Sequence, residues 1–260
     1  MMIPVIFGQH YVNRDSKFAL FAAVMAGTAF FRCPCSCMIG FPMVNYQKIN
    51  REVEKVKLIF VRHGKDDGRY RGGWSDLDLL PEGREQAKTL AKHLKENRGE
   101  YGITKIVSSD LTRAMETADI ISAQLGIPVQ KECRIRETNN GLLAGMENRI
   151  ALERYPGLFF SSLGLDEPYP GGESPRQFYN RIAMWFRAFS AACAREEGNV
   201  LIVTHGGVIN VIYHLVKGIE WSNRAKPFRA EHCSIHVLDL QTMELAPHQS
   251  LPCVKGGGTA

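Results

Sequence analysis

From residue 57 onward the chain alternates between two kinds of apolar pattern. Short β-rich runs stand at residues 57–61 (KLIFV), 104–107 (TKIV), 199–204 (NVLIVT) and 234–240 (SIHVLDL), each long enough for one strand. Between them, apolar residues recur at helical spacing. Pro81-Glu82-Gly83 opens one helix, carrying Ala87, Leu90, Ala91 and Leu94. A second spans 111–125 and is ended by Gly126-Ile127-Pro128, after which 128–131 is a short strand. Residues 173–197 form a long amphipathic helix with Phe178, Ile182, Trp185, Phe186 and Phe189 on one face, and a further helix begins at Val208. Strands alternating with helices predict an α/β domain with helices on both faces of a mostly parallel sheet.

The first fifty-odd residues follow another pattern. Residues 18–31 (FALFAAVMAGTAFF) are an apolar run of fourteen, preceded by Arg14 and Lys17. It is short of the roughly 20 residues of a membrane span and resembles the hydrophobic part of a signal peptide, without a small-x-small cleavage site after it. Residues 1–55 are therefore expected to be an N-terminal extension, either non-catalytic or a mis-assigned start, with a membrane anchor or export signal through residues 14–31 as the alternative. The catalytic domain is expected at 56–245, with a lid at about 141–172, and residues 246–260 as a flexible tail.

Composition narrows the class. Of 260 residues, 45% are hydrophobic and 23% charged, which describes a globular protein with a sizeable core. A formal charge of +5 suits an anionic small-molecule ligand and is too small for a nucleic-acid signature. Cys133, Cys193, Cys233 and Cys253 are scattered as free thiols of a reducing cytosol would be, so a cytoplasmic location is expected. Cys33, Cys35 and Cys37 lack both Cys-x-x-Cys spacing and a fourth ligand, and no metal site is assigned. Nothing in the sequence sets an oligomeric state.

The chemistry gathers at strand ends. Val61-Arg62-His63-Gly64 closes the first strand and Thr204-His205-Gly206-Gly207 a later one, and open α/β sheets bind ligands at the carboxyl ends of their strands. The helix starting near His205 offers amino-terminal amides to an anion. A third strand end, Ser108-Ser109-Asp110-Leu111-Thr112-Arg113, puts an arginine in the first helical turn, and Arg136-Glu137 follows a fourth segment. Two histidines, two arginines and a glutamate suit phosphoryl transfer. Guanidinium groups neutralise the phosphoryl oxygens, and a neutral imidazole attacks phosphorus. A carboxylic acid protonates the departing alkoxide, and a second, protonated histidine stabilises developing charge.

These motifs resemble the histidine phosphatase superfamily, which includes cofactor-dependent phosphoglycerate mutases and small-molecule phosphatases, over roughly residues 57–240. The resemblance implies a three-layer α/β/α sandwich of the phosphoglycerate mutase-like type. It places the phosphorylated nucleophile on His63 within Arg62-His63-Gly64. The second phosphate-binding arginine falls on Arg113, within Ser109–Ala118, and the proton donor on Glu137, followed by Gly141 and Gly145. The second histidine falls on His205, with Gly206 beside the phosphate. No metal and no cofactor are expected, since arginine and histidine side chains would neutralise the phosphoryl charge. His205 lies only 68 positions after Glu137, short for a mutase, and Tyr169–Ser174 (YPGGES) resembles the phosphatase branch. The expected function is metal-independent hydrolysis of a small phosphate ester through phosphohistidine. A 2,3-bisphosphoglycerate-dependent mutase and a non-catalytic phospho-ligand binder stand as alternatives.

The remaining candidates carry less. In the loop after His63, Arg69, Arg71 and Gly73 are possible substrate-binding residues, while Asp66 and Asp67 read as solvated charges. His10, His93, His214, His236 and His248 read as structural, and His232, just before the last strand, as more structural than ligand-binding. Arg149, Arg154, Arg176, Arg181, Arg187 and Arg195 fall mostly at helical spacings that suggest surface positions. Leu142, Leu143, Met146, Tyr155, Phe159 and Phe160 make the lid apolar, which favours a leaving group with a hydrophobic or ring portion as much as simple packing of the lid.

Overall fold

A computed structural model describes residues 56–248. The segment 14–31, the cluster Cys33, Cys35 and Cys37, His10, Cys253 and most of the tail lie outside the described residues. Six strands form one sheet: β1 (Lys57–Arg62), β2 (Ile103–Ser108), β3 (Val129–Lys131), β4 (Asn199–Thr204), β5 (Ile235–Asp239) and β6 (Glu244–Pro247), in the order β3-β2-β4-β1-β5-β6. The first four run parallel; β5 is antiparallel to β1, and β6 to β5. The helices are α1 (Pro81–Glu96), the single turn α2 (Arg98–Tyr101), α3 (Thr112–Leu125), α4 (Asn148–Arg154), α5 (Pro175–Cys193) and α6 (Gly206–Lys217).

Two cores, one on each face, explain why the strands read as unbroken apolar runs. In β1, Leu58 and Phe60 face α5 and α6, while Ile59 and Val61 face α1 and α3; Val200 and Ile202 against Leu201 and Val203 divide the same way in β4. Phe178, Ile182, Trp185 and Phe186 of α5 cover one face, and Leu90, Leu94, Ala118 and Ile121 of α1 and α3 the other. The long helix begins later than its periodicity suggests, because Ser174 and Gln177 form a reciprocal capping box with Pro175 at the first helical position. α6 begins two residues earlier than expected, at Gly206. The antiparallel β6 went unforeseen, since ELAP is too short and too exposed to alternate visibly. It carries paired structure to Pro247, across the boundary expected at 245. Among the described residues no helix is long and apolar enough to cross a membrane, and Cys133, Cys193 and Cys233 are free thiols.

The topology gathers the strand ends. The chain runs β1, β2, β3 and then returns to place β4 between β2 and β1, with Arg62 in register with Thr204 and Ser108 with Val203. The residues just past three neighbouring strands, His63, His205 and Ser109, thus share one end of the sheet.

Candidate active site

His63 is buried at the tip of β1, its backbone N–H donating to Thr204 O at 3.0 Å. Its Nδ1 lies 2.7 Å from Gly64 O. A carbonyl only accepts, so Nδ1 carries the proton and Nε2 keeps its lone pair. Arg113 Nε points at that nitrogen from 3.3 Å. Burial, with the neighbouring Arg113 and Arg62 charges, holds the His63 pKa well below the usual imidazole value, so the ring is neutral. Neutral imidazole with an unprotonated Nε2 is the nucleophilic form.

Arg113 is 2% exposed although it sits in the first turn of α3. Its Nη1 donates to Ser75 O at 3.2 Å, its Nη2 to Gly73 O at 2.8 Å, and Asp66 Oδ2 lies 3.4 Å from Nε. Asp66 is therefore part of the arginine's setting rather than a solvated loop charge. Gly73 serves this anchor: it holds φ +63°, and a Cβ there would lie 2.0 Å from Asn140 Oδ1. Its carbonyl is committed to Arg113.

His205 follows β4 and is fully buried, its ring centroid 5.1 Å from that of His63. Nε2 lies 2.8 Å from Ser109 Oγ, whereas Nδ1 is buried with no partner among the described residues. Burial and then Arg113 hold its pKa well below the usual range. Gly206, the first residue of α6, sits beside Arg62, whose Nε is also buried and unpartnered. Arg62 is otherwise anchored, with Nη1 donating to Ala230 O at 2.7 Å and Nη2 to His232 Nε2 at 3.3 Å. His232 completes the link, its Nδ1 lying 3.2 Å from His63 O. The sequence reading took His232 as more structural than ligand-binding; the structure puts its ring 5.4 Å from that of His63, bridging Arg62 and the His63 carbonyl. Only the chain reversal before β5 brings it there.

Glu137 approaches from the loop between β3 and α4. Its Oε2 accepts the Gly207 N–H at 2.9 Å and its Oε1 the Thr138 N–H at 3.0 Å. The carboxylate thus sits at the amino terminus of α6, where an anion is favoured. The loop is lashed down. Arg136 pairs with Asp110 (Nε to Oδ1, 2.6 Å), and Trp74 Nε1 donates to Glu137 O at 2.7 Å. Arg181 donates to the carbonyls of Arg134, Arg136 and Glu137 while pairing with Glu173. Arg181 is therefore a half-buried clamp, not the surface position its helical spacing suggested. Its fold-back partner Glu173 lies just before α5 and also accepts the Asn139 N–H at 2.8 Å.

The structure thus brings Arg62, His63, Arg113, Glu137, His205 and Gly206 together, with His232, Ser109 and Asp66 as members that spacing did not reveal. Arg69 lies apart, exposed and paired with Asp67. Arg71 is half-buried, its guanidinium 4.5 Å from the Phe159 ring centre.

Comparison with known proteins agrees with this geometry. The chain is 33% identical over 171 residues to phosphoglycerate mutase-like protein 4 of Arabidopsis thaliana, covering 63% of this chain and 72% of that one. It is 32% identical over 196 residues to phosphoserine phosphatase 1 of Hydrogenobacter thermophilus, covering 72% of this chain and 87% of that one. The structure of the mycobacterial glucosyl-3-phosphoglycerate phosphatase superposes with a TM-score of 0.59 at 25% identity, over 74% of this chain and 96% of that one. A profile of the histidine phosphatase superfamily (branch 1) matches residues 58–248. With the profile spanning the whole described domain, the chain belongs to the histidine phosphatase superfamily.

Proposed function

We propose that the protein hydrolyses a small-molecule phosphate monoester through a phosphohistidine on His63, without a metal ion. One observation carries the reading: Arg113 Nε points at His63 Nε2 from 3.3 Å, the His205 ring centre lies 5.1 Å from that of His63, and both Arg62 Nε and His205 Nδ1 are buried without partners among the described residues. Buried donors without partners cost free energy, and phosphoryl oxygens would satisfy them. In the first half-reaction Nε2 attacks phosphorus, the ester P–O bond breaks, and Glu137 delivers a proton to the leaving oxygen. In the second, water attacks phosphorus, Glu137 takes a proton from it, and the P–N bond breaks to regenerate His63.

The donor set supports the metal-free form. Ligand atoms of His63, Asp66 and His232 lie within 4.8 Å of one another. Each faces a guanidinium, however: Arg113 for His63 and Asp66, Arg62 for His232. A dication there would have to displace cations, whereas an anion joins them. Hydrolysis rather than transfer is favoured by the compact interval after Glu137, in which the basic residues Arg149, Arg176 and Arg181 are each paired with carboxylates.

The test is p-nitrophenyl phosphate turnover with EDTA present, together with trapping of an acid-labile phosphoenzyme. Turnover and a trapped phosphoryl group, both lost in His63→Ala, are expected. Full activity in His63→Ala sinks the mechanism. Phosphoglycerate isomerisation dependent on a bisphosphate primer, with no net hydrolysis, would make the protein a mutase.

A further inference from the structure

Ser109, the first residue past β2, is fully buried. Its backbone is fixed on both sides, the N–H donating to Val203 O and the carbonyl accepting from Ser108 Oγ, each at 2.9 Å. From that position its hydroxyl reaches two groups. The oxygen accepts the Leu111 N–H at 3.4 Å and lies 2.8 Å from His205 Nε2. A buried hydroxyl must place its proton on an acceptor or forfeit a hydrogen bond. The Leu111 N–H can only donate, so the proton goes to His205 Nε2, the one acceptor within reach among the described residues. Nε2 is then unprotonated, and the ring carries its hydrogen on Nδ1, the nitrogen that is buried without a partner.

The surroundings oppose a second proton. Burial, then Arg113, His63, Arg62 and Arg181, all disfavour a charged ring. Glu137, the carboxylate that reaches the same end of α6, is taken up by the N–H groups of Gly207 and Thr138. Protonating Nε2 would also deprive the Ser109 hydroxyl of its acceptor. The imidazolium that the residue types suggested is therefore replaced by a neutral ring of defined tautomer.

We infer that Ser109 is a positioning residue, whose hydroxyl holds His205 in the Nδ1–H tautomer so that the ring serves the phosphoryl group as a neutral hydrogen-bond donor. This rests on the phosphatase reading above. His63 also carries its hydrogen on Nδ1, given to Gly64 O, but it turns its bare Nε2 to the site. The two rings, with centres 5.1 Å apart, thus divide the work. One supplies a lone pair to phosphorus and the other an N–H to a phosphoryl oxygen, while Arg62 and Arg113 carry the countercharge. A Ser109 hydroxyl that sets which nitrogen of His205 can donate acts on the phosphate without touching it.

The experiment uses the full chain with nitrogen-15-labelled histidine, the His205 ring signals being those lost in His205→Asn. Long-range proton–nitrogen NMR should show a bare Nε2 and a protonated Nδ1 from about pH 8 down to about pH 6, where a free histidine is mostly charged. A His205 ring that is charged at pH 7.5, or that carries its hydrogen on Nε2, overturns the proposal without recourse to any variant. In Ser109→Ala the hydrogen should pass in part to Nε2. Calorimetric affinity for inorganic phosphate should then fall about tenfold, the worth of a hydrogen bond to a charged group. Ser109→Thr, which keeps the hydroxyl, should restore the tautomer and most of the affinity. An alanine variant with wild-type ring signals and wild-type phosphate affinity overturns the role of Ser109. Wild type that binds phosphate with the expected ring signals, yet turns over no p-nitrophenyl phosphate, upholds the tautomer and overturns the phosphatase reading instead.

Discussion

Gly207 and Glu137 are in direct contact: the glycine N–H donates to Oε2 at 2.9 Å, and a Cβ on Gly207 would stand 2.2 Å from Oε1. The second glycine after His205 is thus a packing requirement of the proposed acid. Gly207→Ala must push the carboxylate away from the helix terminus while leaving His63 and Arg113 in place. We expect kcat for alkyl phosphates to fall about a hundredfold, a typical worth of general acid catalysis. Loss on p-nitrophenyl phosphate, whose leaving group needs no proton, should be much smaller. Glu137→Gln should discriminate in the same way. Equal losses on the two ester types would remove Glu137 from the acid role.

The sequence disclosed the fold and the residues that the structure gathers at the strand ends, because both depend on local signals. Apolar runs and helical periodicity located β1, β4, α1, α3 and α5, and strand-end positions located His63, His205 and Arg113. What escaped depends on chain reversals that pairwise spacing does not encode. His232 reaches the site only through the turn before β5. Arg181 looked like one more helical cation, and only the fold-back before α5, which brings Glu173 to the Glu137 loop, makes it a clamp. Asp66 looked solvated because nothing in the sequence says that Arg113 is buried against it.

The clamp predicts a stability effect separable from chemistry. Arg181→Met would leave Glu173 without its cation and the Arg134 and Arg136 carbonyls without their side-chain donor, while Glu137 O keeps only Trp74 Nε1. Removing one partner of such a pair typically costs about 3–5 kcal/mol. Urea unfolding should show that loss. The double variant Arg181→Met/Glu173→Gln should recover part of it, because the orphaned charge is gone. A loss under about 1 kcal/mol, the worth of an exposed pair, would place Arg181 at the surface after all.

A pH dependence of folding follows from His236. Its Nδ1 lies 2.9 Å from Tyr213 Oη and its Nε2 2.9 Å from Ser234 Oγ. Burial lowers its pKa to about 4. Between the unfolded value of about 6.5 and this folded value, the unfolded chain binds the extra proton, so stability falls as pH falls. Buried His63 and His205 act in the same direction. Going from pH 7.5 to 5 should cost about 2 kcal/mol through His236 alone. His236→Gln, which does not titrate, should show a correspondingly smaller drop in urea midpoint over that interval. An identical drop would mean that the ring is protonated in the folded state.

His232 ties two adjacent residues of the proposed site together, since one ring accepts from Arg62 Nη2 and donates to His63 O. Only the neutral tautomer with hydrogen on Nδ1 satisfies both contacts, and burial followed by the Arg62 charge keeps its pKa below the usual value. Asparagine offers one acceptor and one donor without titrating, so His232→Asn should retain kcat/KM at pH 7.5 to within about threefold. His232→Leu leaves the Arg62 guanidinium without its acceptor, and loss of a hydrogen bond to a charged group predicts about a tenfold weaker grip on phosphate. Inhibition by inorganic phosphate measures this directly, because phosphate occupies the proposed site without needing Glu137. If leucine and asparagine behave alike at pH 7.5, the ring is filling space beside His63 and orienting nothing.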